Sequence, residues 1–116
     1  MGLTTVTARV GKGRKATDVD FLVDSGATYS LLPEKVWKRL ALKPLETVKF
    51  SLADSSIIER GISEVWLDYE GRGRTVQVIM GKRGDEPLLG AFTLEALGLA
   101  LNPFTRKLVP MKMIVA

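Results

Sequence analysis

Histidine and cysteine are both absent from the 116 residues, so the usual general base, the thiol nucleophile and the soft metal ligands are missing together. Ser-His-Asp and Cys-His catalysis and zinc sites are thereby excluded. What remains for acid–base chemistry is Lys, Tyr, backbone groups and the carboxylates, 13 Asp and Glu in all. Among these, Asp24 stands apart. It follows the apolar run Phe21-Leu22-Val23 and opens Asp24-Ser25-Gly26-Ala27. A charge at the end of an apolar strand is costly unless it has a partner or a task. Asp-Ser-Gly also folds an ordinary turn in which the carboxylate accepts from its own backbone, so the tripeptide alone leaves both readings open.

The elements that must deliver Asp24 are strands. Alternation over Leu3 to Val10, and again at Val19, Phe21 and Val23 after a turn at Gly11 to Lys15, predicts a hairpin whose second arm ends at the Asp. Pro33 then opens a short helix on which Val36, Trp37, Leu40 and Ala41 recur at helical spacing. Val48, Phe50 and Leu52 alternate before a turn at Ala53-Asp54-Ser55-Ser56, and Ile58 to Tyr69 returns as the second arm of a longer hairpin, with Val65, Leu67 and Tyr69 on one side. Gly61 in that arm predicts a bulge or bend. After a turn at Glu70 to Arg74, Val76, Val78 and Met80 give another strand. A loop from Gly81 to Pro87 leads into Leu88-Leu89-Gly90, a helical stretch over Thr93 to Leu97 and a stop at Gly98. Leu99 to Asn102 and Lys107 to Met111 pair around a Pro103 to Arg106 turn, and Met113 to Val115 is expected as a terminal strand. An apolar pair running into a glycine loop and a short helix thus occurs twice, a weak internal repeat in which only the first half carries a carboxylate.

Phe21-Leu22-Val23-Asp24-Ser25-Gly26-Ala27, then a hairpin, then Leu88-Leu89-Gly90 ahead of a short helix, resembles the retropepsin-like aspartic proteases. The style is that of the small clan AA members of bacteria and archaea, through Ala27-Thr28-Tyr29-Ser30-Leu31-Leu32-Pro33 and Leu89-Gly90-Ala91-Phe92-Thr93-Leu94-Glu95. The likeness runs from Val19 to Met111. It implies an all-β, retropepsin-like (acid protease) fold, a closed β-barrel or half-barrel with one or two short helices and one active-site loop per subunit, in a single domain over 1–116. It implies an aspartic endopeptidase that needs no cofactor and no metal.

Aspartic proteolysis requires two carboxylates sharing one proton, one activating water while the other polarises the scissile carbonyl. The sequence offers one such loop, because Asp54-Ser55-Ser56 lacks the glycine and Asp68 and Asp85 stand in unlike contexts. Two copies of Asp24 are therefore expected to meet across the axis of a homodimer. By the resemblance, Asp24, Ser25 and Gly26 form the catalytic triplet, with Ser25 bonding across the dimer and Gly26 admitting the substrate backbone. Ala27 and Thr28 line the cleft, Ala53, Asp54 and Ser55 fall at a flap that closes over the peptide, and Leu88 walls a side-chain pocket. Several have a plainer reading: turn stabilisation for Ser25, backbone freedom for Gly26, an ordinary hairpin tip for Ala53 to Ser55, core for Leu88. Many retroviral members carry an acid where Thr28 stands, an Arg where Ala91 stands, and a glycine-rich flap tip.

The net charge of +4 lies in small clusters among glycines, at Lys12-Gly13-Arg14-Lys15, Arg72-Gly73-Arg74 and Lys82-Arg83-Gly84. These read as solvated hairpin tips rather than a nucleic-acid footprint, and aromatics at 7% leave little for stacking bases. No apolar run approaches the roughly 20 residues of a membrane span, and Met1 to Thr5 has neither the basic nor the apolar part of a secretory signal. A cytoplasmic location is expected, with a second copy and a peptide or protein substrate as partners. The rival from another class is a catalytically silent dimeric module that binds peptide or protein on the same fold.

Overall fold

Inward-facing Ala8 and Val10 on β1 (Thr5–Lys12) meet Val19, Phe21 and Val23 on β2 (Lys15–Val23), and period-two alternation buries all five. A computed structural model describes residues 3–111 of the chain. The two strands pair from Thr5↔Leu22 to Lys12↔Lys15, so the hairpin runs two residues beyond Val10 and closes on the two-residue turn Gly13-Arg14.

Past the Asp24 loop, β3 (Ser30–Leu32) is a strand that local pattern does not announce, three residues squeezed between that loop and Pro33. Helix α1 (Glu34–Arg39) begins after Pro33 and is braced by a Glu34–Lys38 pair one turn apart. It ends earlier than helical spacing predicts. Ala41 is exposed and takes a positive φ of 55°, and Leu42 enters the core in its place beside Leu40.

β4 (Glu46–Ser51) and β5 (Ile57–Tyr69) form the longer hairpin, and β5 continues into β6 (Arg72–Met80). The 13 residues of β5 serve two purposes. Ile57 to Ile62 pair with β4, which contributes no buried residue, while Val65 and Leu67 anchor the other half in the core. The expected bulge at Gly61 is absent: Gly61 pairs with Thr47 on one side and Met80 on the other in unbroken register. The glycine answers crowding instead, since a Cβ there would lie 3.0 Å from the Pro44 Cβ and 3.1 Å from the Met80 sulfur.

β7 (Leu88–Leu89) lies parallel to β2 through Leu22↔Leu88 and Val23↔Leu89, so the two apolar pairs of the internal repeat stand side by side. Helix α2 (Ala91–Leu97) follows and stops at Gly98, whose left-handed φ of 68° closes it. β8 (Leu99–Asn102) and β9 (Lys107–Pro110) form a separate two-stranded sheet around the expected turn. The main sheet runs β1-β2-β7-β3-β6-β5-β4, and pairing of Arg9, Val10 and Gly11 with Asp68, Leu67 and Trp66 joins β1 to β5. The result is a ring of six strands with β4 outside it. Phe21, Leu32, Leu40, Leu67 and Leu89 fill its interior. This is the mostly-β, retropepsin-like architecture anticipated, with two short helices among the described residues. The terminal strand expected at Met113 to Val115 lies outside the described residues. Among those described, no helix is long and apolar enough to cross a membrane.

Candidate active site

Asp24 lies one residue past the end of β2, and backbone bonds fix it there. Its N–H donates to the Leu89 carbonyl of β7 at 3.0 Å, and its own carbonyl accepts the Ala27 N–H at 3.1 Å. Carboxylate Oδ1 accepts the Gly26 N–H at 3.0 Å. The turn chemistry of Asp-Ser-Gly is therefore present, yet among the described residues the second carboxylate oxygen takes no hydrogen bond. Asp24, Ser25 and Gly26 are all exposed, and among the described residues no cation pairs with Asp24.

The far side of the loop is tied to α2. The Ala91 N–H donates to the Ala27 carbonyl at 2.7 Å, and the Phe92 N–H to the Thr28 carbonyl at 3.1 Å. Such contact demands that the backbones nearly touch. A Cβ on Gly90 would sit 2.4 Å from the Tyr29 carbonyl oxygen and 2.9 Å from that of Ala27, distances only glycine avoids. The Gly90 N–H in turn donates to the Ser30 hydroxyl at 3.0 Å, and Ser30 Oγ lies 2.5 Å from Thr93 Oγ1. Both hydroxyl residues are buried and both are satisfied.

A cleft of about 740 Å³ opens beside this loop. Ala27 and Leu88 line it, joined by Leu31 and Ile79 from the ring and by Leu52 and Ile58 from the β4–β5 hairpin. Arg60, Asp85 and Glu86 bring charge to its wall. Arg60 Nε lies 3.8 Å from Asp85 Oδ2, and the same carboxylate oxygen accepts the Lys82 N–H at 2.8 Å.

Ala53, Asp54 and Ser55 occupy the exposed hairpin tip above the cleft wall, which on that arm is formed by Phe50, Ser51 and Leu52. Asp54 knots the tip by accepting from both the N–H and the hydroxyl of Ser56. The hydroxyl, and after it the N–H, holds the Asp54 carboxyl below its ordinary value. Thr28 is exposed next to Ala27, and Ser25 faces a smaller hollow of about 290 Å³ with Ala91, Leu94, Leu99 and Met111.

Three parts of this arrangement are not evident in the sequence. Ser30 and Thr93 are one: a polar residue at an inward position of Tyr29-Ser30-Leu31-Leu32, and another on the buried face of α2, are the only signals. A second is the aromatic chain in which Tyr29 meets Phe50 and Phe92 edge-on, at centroid distances of 5.9 and 5.6 Å. It connects the hairpin arm to α2 across the residues that follow Asp24. The third is the Arg60–Asp85 pair, which joins segments far apart in the chain.

A family model described as aspartyl protease matches residues 6–91. No curated protein sequence matches the chain. Among solved structures, EIAV protease complexed with the inhibitor HBY-793 superposes with a TM-score of 0.66 at 17% identity, covering 98% of this chain and 94% of that one. The solution structure of simian foamy virus (mac) protease gives a TM-score of 0.61 at 22% identity, covering 80% and 93%. Prototype foamy virus protease–reverse transcriptase gives 0.57 at 19%, covering 97% of this chain and 12% of that far longer one. At such identities the structures speak for the fold, while the family model spans most of the sequence and includes the Asp24 loop. The chain belongs to the aspartyl protease family, the aspartic-type endopeptidases of retropepsin-like fold.

Proposed function

We propose that the protein hydrolyses peptide bonds as a homodimer in which Asp24 of each subunit supplies one carboxylate of the catalytic dyad. The observation that carries this reading is the single Asp24 loop, exposed and held by backbone bonds to β7, with no ion pair among the described residues. One carboxylate cannot both activate water and polarise a carbonyl. Two carboxylates brought to a shared site hold one proton between them, because both cannot ionise at contact distance. The ionised member then takes a proton from the attacking water, and the protonated member donates to the carbonyl oxygen.

The neighbouring residues take roles consistent with their positions. Gly26 fixes Oδ1 of Asp24 and admits the substrate backbone, while Ala27, Thr28 and Leu88 border an extended peptide in the cleft. The β4–β5 hairpin, with Ala53, Asp54 and Ser55 at its tip, acts as a flap that excludes water from the dyad. Exposed Leu52 and Ile57 flank that tip and offer apolar surface to a bound peptide. Ser25, exposed at the edge of the apolar hollow, bonds across the dimer. The partners are a second copy and a peptide or protein substrate, and the site of action is the cytoplasm.

Digestion of a proteome-derived peptide library by wild type and by Asp24→Asn, read by mass spectrometry at several acidic to neutral pH values, tests the proposal. Cuts made only by wild type are expected. If neither protein cuts but both bind peptide as dimers, the silent binding module on the same fold replaces the enzyme.

A further inference from the structure

The wall of the cleft carries charge of the opposite sign to the rest of the protein. The whole chain is net +4, which by long-range attraction alone would favour acidic peptides. Locally the balance differs. Arg60 is spoken for: its side chain is only 18% exposed, Nε lies 3.8 Å from Asp85, and a terminal nitrogen donates to the Glu59 carbonyl at 2.9 Å. Asp85 is likewise engaged, by Arg60 and by the Lys82 N–H. Glu86 borders the same cleft, is exposed, and among the described residues has no cation within ion-pair distance.

Its place along the chain sets what it can reach. Leu88 faces the cleft and Leu89 the core, and Glu86, two residues before Leu88, lines the same cleft. The Pro87 carbonyl accepts the Leu22 N–H at 3.1 Å, and the Leu89 carbonyl accepts that of Asp24, so the segment runs alongside the strand that presents the catalytic loop. Glu86 lies three positions before Leu89, at most about 10 Å along an extended chain at roughly 3.3 Å per residue. An extended substrate has the same rise, so Glu86 faces a side chain within about three residues of the scissile bond.

Resting on the peptidase reading above, we propose that Glu86 is a specificity-determining residue that selects a Lys or Arg side chain within three residues of the cut. At physiological salt the screening length is about 8 Å, so the nearby carboxylate outweighs the dispersed +4. An exposed ion pair changes affinity by up to about fivefold, and a like-charge contact costs a similar factor.

Matched peptides with Lys, Gln or Glu at each of the three positions on either side of a bond cut by wild type, or, where none is cut, at each position of a library peptide that the protein binds, give the test. The expected wild-type kcat/KM ratio of Lys over Glu at one of these positions is fivefold or more. That ratio should collapse toward one in Glu86→Gln and invert in Glu86→Lys. The same peptides, fluorescein-labelled, are titrated into Asp24→Asn by anisotropy, so that charge preference is also read without turnover. No charge preference in wild type, or a preference that survives in Glu86→Gln, overturns the proposal. Binding that favours Lys through Glu86 in a protein that never cuts would retain the specificity and remove the peptidase. Charge-blind cutting would do the reverse, and absence of both binding and cutting would remove the two together.

Discussion

Asp24 owes its position to backbone atoms on either side of it, which makes the residues behind the loop as consequential as the Asp. Gly90 is the tightest of these. Substituting Ala would push a methyl into the Tyr29 and Ala27 carbonyls, at 2.4 and 2.9 Å, where only backbone movement can relieve it. Gly90→Ala should therefore lower stability by about 1–3 kcal/mol or more, read by chemical denaturation, and displace the Asp24 loop. A fully stable variant would contradict the close approach. Ser30→Ala leaves the Gly90 N–H and the Thr93 hydroxyl without their partner in a buried site, a loss of about 1–3 kcal/mol. Because Ser30 and Thr93 share one bond, the double variant Ser30→Ala, Thr93→Val should cost less than the sum of the single variants. Strict additivity in that cycle would show the two hydroxyls to be independent.

Among the elements, the β4–β5 hairpin is anchored from one side only, through the second half of β5. Its outer arm has no buried residue, and Tyr29 meets Phe50 edge-on to join it to the body. An arm without buried residues suits the proposed flap, which would have to move to admit substrate. The tip is stiffened from within by Asp54, whose carboxyl is held below the ordinary 3.8 by the Ser56 hydroxyl and N–H. A depressed carboxyl stabilises the folded tip above its ordinary value, and that contribution is lost as the pH falls from there through the lower folded value. An NMR titration should accordingly place the Asp54 midpoint below 3.8, and a midpoint at or above it would mean the knot does not form in solution. The hairpin itself was legible in the alternation of Val48, Phe50 and Leu52 and in the turn residues after them. Gly61 was misleading, since crowding by Pro44 and Met80 looks the same in sequence as a bulge.

In the whole molecule, strands and turns set by local pattern could be read in advance, and so could the delivery of Asp24, because β2 and Asp-Ser-Gly are contiguous. What could not be read was set by closure of the ring. β3 is three residues long, too short for alternation to register. The pairing of Leu22-Val23 with Leu88-Leu89, the Gly90 approach to Tyr29 and the Arg60–Asp85 pair all join distant segments. The proposed active assembly adds a second copy to this ring. Ser25→Ala should weaken dimerisation while leaving the subunit fold intact, as sedimentation over a dilution series would register; unchanged affinity would deny the cross-dimer bond.

The most direct measurement co-refolds wild type with Asp24→Asn and follows peptide cleavage per wild-type chain. If each active site takes one Asp24 from each subunit of a tight dimer, random pairing with a threefold excess of the variant should reduce that activity to about one quarter. Activity per wild-type chain that stays constant as the variant is added would contradict a dyad shared between two subunits.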